Sequence, residues 1–384
     1  MNKKLILCCC AGAAILTACT GKKQPASSAT ETDTLYMLVG SYGPADQEGI
    51  KVYKFNQETG KGQYVSGLKG ISNPSYQTVS ADGKRVYSVG EDDGGTACAN
   101  ALTFDATTGA LTLVNSQPTQ GAAPCHIALS PEEDYIVTAN YNGSNITLFP
   151  LDAEGRLKPG RNIGFDGHGA DKERQAKPHL HFVYFTPDNK YLLANDLGTD
   201  RIHRFPLNNR QKGSDTLLVD ESSASDILLA PGSGPRHTEF SADGRFAYLI
   251  TELSGEVMAF TYNGDSLTLM QTIQADTLDA RGSADIHLSP DGRHLYASNR
   301  LKGDGLAIFQ IDGEDGTLTK VGYQPTGIHP RNFIITPNGK YVLVACRDTN
   351  EIQVFARDAS TGLLTDTGQS IQATKPVCLK FIKM

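Results

Sequence analysis

Ser289-Pro290-Asp291-Gly292-Arg293 is preceded by Asp285-Ile286-His287-Leu288 and followed at once by His294-Leu295-Tyr296-Ala297-Ser298. Pro presets φ for a tight turn and Gly tolerates positive φ, so the phrase reads as a hairpin turn between two antiparallel strands. Looser copies are Ser80-Ala81-Asp82-Gly83-Lys84, Ser130-Pro131-Glu132-Glu133-Asp134, Thr186-Pro187-Asp188-Asn189-Lys190, Ser241-Ala242-Asp243-Gly244-Arg245 and Thr336-Pro337-Asn338-Gly339-Lys340. Their first residues lie 50, 56, 55, 48 and 47 positions apart. A period of that size marks stacked or radial repeats.

Two further strands follow in most units. Gly305-Leu306-Ala307-Ile308-Phe309-Gln310-Ile311 is one, and beyond the turn at 312–316 comes Thr317-Leu318-Thr319-Lys320-Val321. Four strands in roughly 40–50 residues make one blade of a β-propeller. The tail Lys375-Pro376-Val377-Cys378-Leu379-Lys380-Phe381 matches the first strand His329-Pro330-Arg331-Asn332-Phe333-Ile334-Ile335 and then stops without its turn. The front runs 34–40 and 49–55 look like the missing later strands of that unit. The expected fold is therefore all-β, a seven-bladed β-propeller closed by pairing the N- and C-terminal strands in one blade, which leaves no open edge there.

Composition agrees and excludes some functions. The 39 Gly and 18 Pro with no Trp suit a turn-rich β protein, and the formal charge of −7 argues against a nucleic-acid partner. No basic run, phosphate loop or zinc-type Cys pair stands in the mature region. A closed ring has a monomer as its default state.

The front end reads as an address. Asn2-Lys3-Lys4 precedes an apolar stretch from Leu5 to Leu16, too short to span a bilayer comfortably. Leu16-Thr17-Ala18-Cys19 then resembles a bacterial lipobox, in which Cys19 is lipidated and becomes the mature N-terminus. The alternative is an ordinary signal peptide cut nearby. The expected organisation is a lipoprotein signal at 1–18, a flexible tether at 19–34 and a propeller at 35–384. This places the protein in the cell envelope, periplasmic or on the outer membrane, and in the cytoplasm only if the signal reading fails. Of eight Cys, Cys8, Cys9 and Cys10 leave with the signal and Cys19 carries the lipid, so Cys98, Cys125, Cys346 and Cys378 remain, expected as free thiols.

The phrase also serves as a ruler. In a hairpin, the start of the first strand and the end of the second share the edge opposite the turn. Five positions before each phrase stand Ser75, Cys125, His181, Arg236, Ala284 and Arg331, and one step on are Tyr76, His126, Phe182, His237, Asp285 and Asn332. Ten or eleven positions after each first residue stand Glu91, Tyr141, Asp196, Glu252, Arg300 and Arg347. A hydrated channel mouth, or histidines that merely tie blades together, would explain some of these. Arg236, Arg300 and Arg331 beside His181, His237, Asp196 and Glu252 form a mixed-sign cluster suited to a small anion.

Gly167-His168-Gly169, Arg174-Gln175, Pro178-His179-Leu180-His181, the run 196–200, Gly232-Ser233-Gly234-Pro235-Arg236-His237, Thr251-Glu252-Leu253, Asp285-Ile286-His287, Ser298-Asn299-Arg300 and Pro330-Arg331-Asn332-Phe333 follow in order. Together they resemble the bacterial propeller-type 6-phosphogluconolactonase (lactonase) family, from about Leu35 to the C-terminus. That family also contains fungal carboxymuconate-lactonizing enzymes. The resemblance implies hydrolysis of 6-phospho-glucono-1,5-lactone to 6-phosphogluconate without metal or organic cofactor. It implies catalytic roles for His181 (His179 is the rival base), Arg236, Arg300 and Glu252. His126, His179, Asp196, His237, Asp285 and Arg331 are the expected substrate contacts, with Asp285 standing where relatives more often carry Glu. The expected partner is a small anionic sugar lactone, with the membrane reached through Cys19. An envelope lactonase for an unphosphorylated sugar lactone, or a non-catalytic binding propeller, are the alternatives.

Overall fold

In the computed structural model, which describes Met1 and residues 33–210 and 216–382, all six phrases fold as the same turn. The leading hydroxyl accepts from the backbone N–H five positions on: Ser289 from His294 at 3.0 Å, Ser241 from Phe246 at 3.0 Å and Thr336 from Tyr341 at 3.0 Å. In five copies it also donates to the acid or amide two positions on, as Ser289 does to Asp291 at 2.6 Å, and in the sixth Ser130 donates to Asp134 at 2.9 Å. The fourth position takes positive φ in every copy, whether Gly292 (68°), Asn189 (57°) or Glu133 (51°). Gly suits that conformation, and the two substitutes hold it because the side-chain bonds around them close the turn.

The strands assemble into seven four-stranded antiparallel sheets among the described residues. Six run outward in chain order. The seventh pairs Pro376–Ile382 with Thr34–Ser41, followed by Ile50–Asn56 and Lys61–Leu68, so the two ends close the ring as expected. Val39 faces Leu379 and Met37 faces Phe381 across that join. The signal, Cys19 and nearly all of the tether lie outside the described residues.

The core is divided among the joints between blades. Six of seven apolar clusters draw on two neighbouring blades, as where Tyr248, Ile250 and Val257 pack with Leu295, Ala297 and Phe309, and the seventh adds Cys378 from a third blade. This follows from strands buried on both faces, such as Tyr135–Asn140 and Phe246–Thr251, while outer strands such as Lys61–Leu68 alternate with solvent. Buried tyrosines lock four of the joints. Tyr36 Oη donates to Ala106 O, Tyr87 to Gly155 O, Tyr248 to Gly316 O and Tyr296 to Gly362 O, at 2.7–3.1 Å. Tyr248→Phe leaves a carbonyl without its buried donor, and its expected cost is about 1–2 kcal/mol. An unchanged urea midpoint for Tyr248→Phe would show that the latch contributes nothing.

Candidate active site

The inner strands of four blades begin with the same irregularity. Pro124 pairs with Asn140 and His126 with Ala139, so Cys125 is left without a partner across the ladder. His181, Arg236 and Arg331 occupy the same place in their blades. These are the residues five before the turn phrase. A β-bulge re-aims a side chain, and here it lets two consecutive residues serve the channel in successive layers.

The lower layer is a continuous belt of the residues four before the phrase. Ring centroids of Tyr76 and His126 lie 4.3 Å apart, His126 and Phe182 4.1 Å, and Phe182 and His237 4.6 Å. His237 Nδ1 then meets Asp285 Oδ1 at 2.7 Å, Asn332 Nδ2 donates to Asp285 Oδ2, and Leu379 N donates to Asn332 Oδ1 at 2.7 Å. On the turn side of this belt lies a cavity of about 350 Å³ lined by Lys380, Tyr184, Glu239 and His287 among others.

The upper layer gathers arginines around one carboxylate. Glu252 Oε2 accepts from Arg236 Nε at 2.8 Å and lies 3.2 Å from Arg300 Nη2, while Oε1 accepts from Arg174 Nη2 at 2.6 Å. Arg300 is further fixed by Gly282 O at 2.7 Å and by His329 Nε2 at 3.3 Å. The loop that carries Arg236 is shaped by Asp200, whose oxygens accept from the backbone of Gly232 and Gly234 at 2.7 and 2.8 Å. The loop that carries Arg174 is held by Gln175 on Asp200 at 2.7 Å and by the Asp171–Arg281 ion pair. Arg331 differs: it makes no hydrogen bond or ion pair with a described residue, and its guanidinium lies 5.5 Å from the centre of the Tyr42 ring. Tyr42 Oη in turn donates to Glu91 at 3.0 Å, and Ser75 also binds Glu91.

Electrostatics divide the roles. Burial works against ionisation of Glu252, but Arg300, Arg236 and Arg174 outweigh it and hold the carboxyl at about 2. Burial, together with Arg236 and Arg331 and against Glu252, brings Arg300 down to about 9. Burial and Arg331 likewise pull Arg236 below its usual range. These cations are crowded, and an added anion relieves them. Burial and the same arginines press His181 well below the ordinary His value, so its imidazole is neutral. Its Nδ1 is buried with no hydrogen-bond partner. A neutral, unpaired imidazole among guanidiniums is in the form that accepts a proton.

His181, Arg236, Arg300, Glu252 and Arg331 thus meet in one place, as the ruler placed them. His179 sits beside them, half-buried and stacked on Tyr141 at 4.3 Å, its Nδ1 2.9 Å from the Tyr141 carbonyl oxygen. Asp196 is a correction. Its carboxylate is consumed by a turn, accepting from His179 N at 2.7 Å, Gly198 N at 2.9 Å and Thr199 Oγ1 at 2.6 Å. It stands ten positions after Thr186, whereas Glu91, Glu252 and Arg300 stand eleven after their phrases; one step on a strand reverses the side chain. His126, His237 and Asp285 lie in the belt beneath the arginines. Glu252 is held as an anion by the three guanidiniums that it draws together. Tyr42, Glu91 and Arg174 were not among the expected site residues. Glu91 has the same offset as Glu252 and was legible, whereas Tyr42 belongs to the one blade without a turn phrase and Arg174 to a loop.

Cys98, Cys125, Cys346 and Cys378 are free thiols, as expected. Among the described residues no group of three or more His, Cys, Asp or Glu side chains is placed to hold a metal ion.

A family model for lactonases of the seven-bladed β-propeller type matches residues 36–381. The chain belongs to this lactonase family. It is 37% identical over 344 residues to a 6-phosphogluconolactonase of Formosa agariphila, covering 87% of this chain and 96% of that one. A 6-phosphogluconolactonase of Bacillus subtilis is 33% identical over 354 residues, with 90% and 97% covered. Among solved structures, a Bacteroides fragilis protein provisionally assigned as a 6-phosphogluconolactonase superposes with a TM-score of 0.89 at 54% identity, covering 92% and 99%. A periplasmic gluconolactonase of Pseudomonas aeruginosa superposes with a TM-score of 0.84 at 33% identity, covering 91% and 99%. As a lactonase the protein is a carboxylic ester hydrolase.

Proposed function

We propose that the protein hydrolyses 6-phospho-glucono-1,5-lactone to 6-phosphogluconate at the arginine layer. The observation that carries this reading is the charge of the site. Arg174, Arg236, Arg300 and Arg331 face two carboxylates, Glu252 and Glu91, and Arg331 has no anionic partner bound to it among the described residues. A phosphate monoester brings about two negative charges at neutral pH, which matches that surplus. A neutral sugar lactone does not.

In this reading Arg331 and the free edge of Arg236 hold the phosphate in two-point fashion. Arg300 faces the lactone carbonyl. His181 takes a proton from water as its oxygen bonds to the carbonyl carbon, and the negative charge gathers on the carbonyl oxygen beside Arg300. Collapse re-forms the C=O, breaks the ring C–O bond, and the departing alkoxide recovers the proton from His181. The bound phosphate also raises the proton affinity of His181, which burial and the arginines keep low.

A second reading has one observation in its favour. The lipobox-like Leu16-Thr17-Ala18-Cys19 addresses the chain to the envelope, and the Pseudomonas aeruginosa relative is described as a periplasmic gluconolactonase. An envelope lactonase would meet an unphosphorylated lactone. On this second reading the protein is a monomer held on the membrane through a lipid at Cys19, and palmitate labelling with fractionation checks that placement. Initial rates of acid release from the two lactones decide between the substrates. The phosphorylated lactone is expected to be the better substrate, and Arg331→Ala to raise its KM by about 10- to 100-fold, the worth of a charged hydrogen-bonded contact. Equal kcat/KM for both lactones, with Arg331→Ala silent on each, would favour the second reading.

A further inference from the structure

His237 and Asp285 carry ionisable groups in the belt beneath the arginines, and the geometry gives them a task that needs no contact with substrate. Asp285 uses its two oxygens differently. Oδ2 receives three donors: Asn332 Nδ2, Phe333 N at 3.3 Å and His287 Nε2 at 3.1 Å. His287 is a donor at both nitrogens, since its Nδ1 faces Glu239 Oε2 at 3.1 Å. Oδ1 faces His237 Nδ1 alone, at 2.7 Å. A carboxylate only accepts, so His237 carries its proton on Nδ1. Its Nε2 lone pair is then turned to Arg236 Nη1 at 3.3 Å. The remaining restraints on Arg236 are Glu252 and the Ala284 carbonyl.

We propose that Asp285 locks the tautomer of His237 and that His237 thereby positions the Arg236 guanidinium for the anion. Both are positioning residues, joined in the chain Asp285–His237–Arg236–Glu252. The proposal rests on the reading of Arg236 as an anion contact, and it can be tested apart from turnover.

Asp285→Asn is nearly isosteric and poses the question directly. Three donors converge on the Oδ2 place, so the amide oxygen must stay there and the amide nitrogen must face His237. His237 Nδ1 then has to accept, its proton moves to Nε2, and an N–H opposes the N–H of Arg236 across 3.3 Å. The guanidinium is expelled from its place. Displacement on that scale lowers kcat/KM by about 10- to 100-fold, here through KM because the anion contact is made before the reaction begins.

Three measurements on the full chain test this. Side-chain ¹⁵N NMR is expected to show His237 as the neutral Nδ1–H tautomer in the wild type and Nε2–H in Asp285→Asn. Affinity for inorganic phosphate and KM for the phosphorylated lactone should both weaken at least about tenfold in Asp285→Asn. Asp285→Glu, which keeps an acceptor, should restore tautomer and affinity. A wild-type His237 protonated on Nε2 overturns the proposal without any variant. So does a flipped tautomer with unchanged phosphate affinity and KM, and that result leaves the lactonase reading standing. A wild type that binds phosphate in this manner but turns over neither lactone overturns the substrate reading and leaves the positioning device intact.

Discussion

Glu252→Ala is expected to lower the stability of the protein by about 3–5 kcal/mol, the cost of stripping a buried ion group of its partner, and to remove lactonase activity. Arg174, Arg236 and Arg300 all converge on this carboxylate, and Glu252 is 7% exposed. Without it, crowded guanidiniums face one another with little water to screen them. The sign of the pH dependence follows from the depressed pKa. Glu252 contributes stability that is present above the unfolded carboxyl value of about 4.3 and is lost only as pH falls through about 2. The gap between wild type and variant in urea midpoint should therefore hold from pH 7 to about 4.5 and shrink below that. Phosphate should narrow the gap by supplying the missing negative charge. A variant that keeps its midpoint but loses turnover would contradict this organising role and point to a direct part for Glu252 in the reaction.

His181→Gln is expected to fold normally and to lose about 10²- to 10⁴-fold in kcat, the usual worth of a general base. Its neighbours are already cationic, so removing a neutral ring does not unbalance the layer. KM should change little, because the phosphate is held by arginines. The pH profiles carry a sharper signature. Burial and the arginines keep His181 neutral well below the ordinary His range, so kcat/KM, which reports the free enzyme, should stay flat far into acid. A bound dianion favours the protonated ring, so the acid limb of kcat should lie at higher pH than that of kcat/KM. Coincident limbs would argue that His181 is not the base. His179→Gln is the control, since the rival imidazole is stacked on Tyr141 and only half-buried.

The turn phrase made the blades, their number and the closing sheet readable, because the Ser-Asp-Gly chemistry recurs at one place in each repeat. It also located the arginine layer, since an offset along a regular hairpin is a position in space. Three features escaped it. The bulge at Cys125, His181, Arg236 and Arg331 follows Pro124, Pro235 and Pro330 in three blades but Leu180 in the fourth, and Pro suits the first residue of a strand as well as a bulge. Yet that bulge is why consecutive residues occupy two layers and why His126, His237 and Asp285 sit beneath the arginines. The ruler also assumed that ten and eleven positions were equivalent. Asp196 shows that they are not, because a strand alternates and its last residue turned back into the Gly198 turn. Arg174 was quoted within a motif but belongs to a loop whose course is set by Asp200 and Asp171, contacts that no periodicity encodes.

The central claim is that phosphorylated lactone is opened at the arginine layer by His181. Its most direct test is the initial rate of acid release from 6-phospho-glucono-1,5-lactone, followed in a pH-stat with wild type and His181→Gln at equal concentration. The account predicts release well above the spontaneous rate for the wild type and a return close to that rate for the variant. Equal acceleration by both proteins, or none by the wild type, would contradict it.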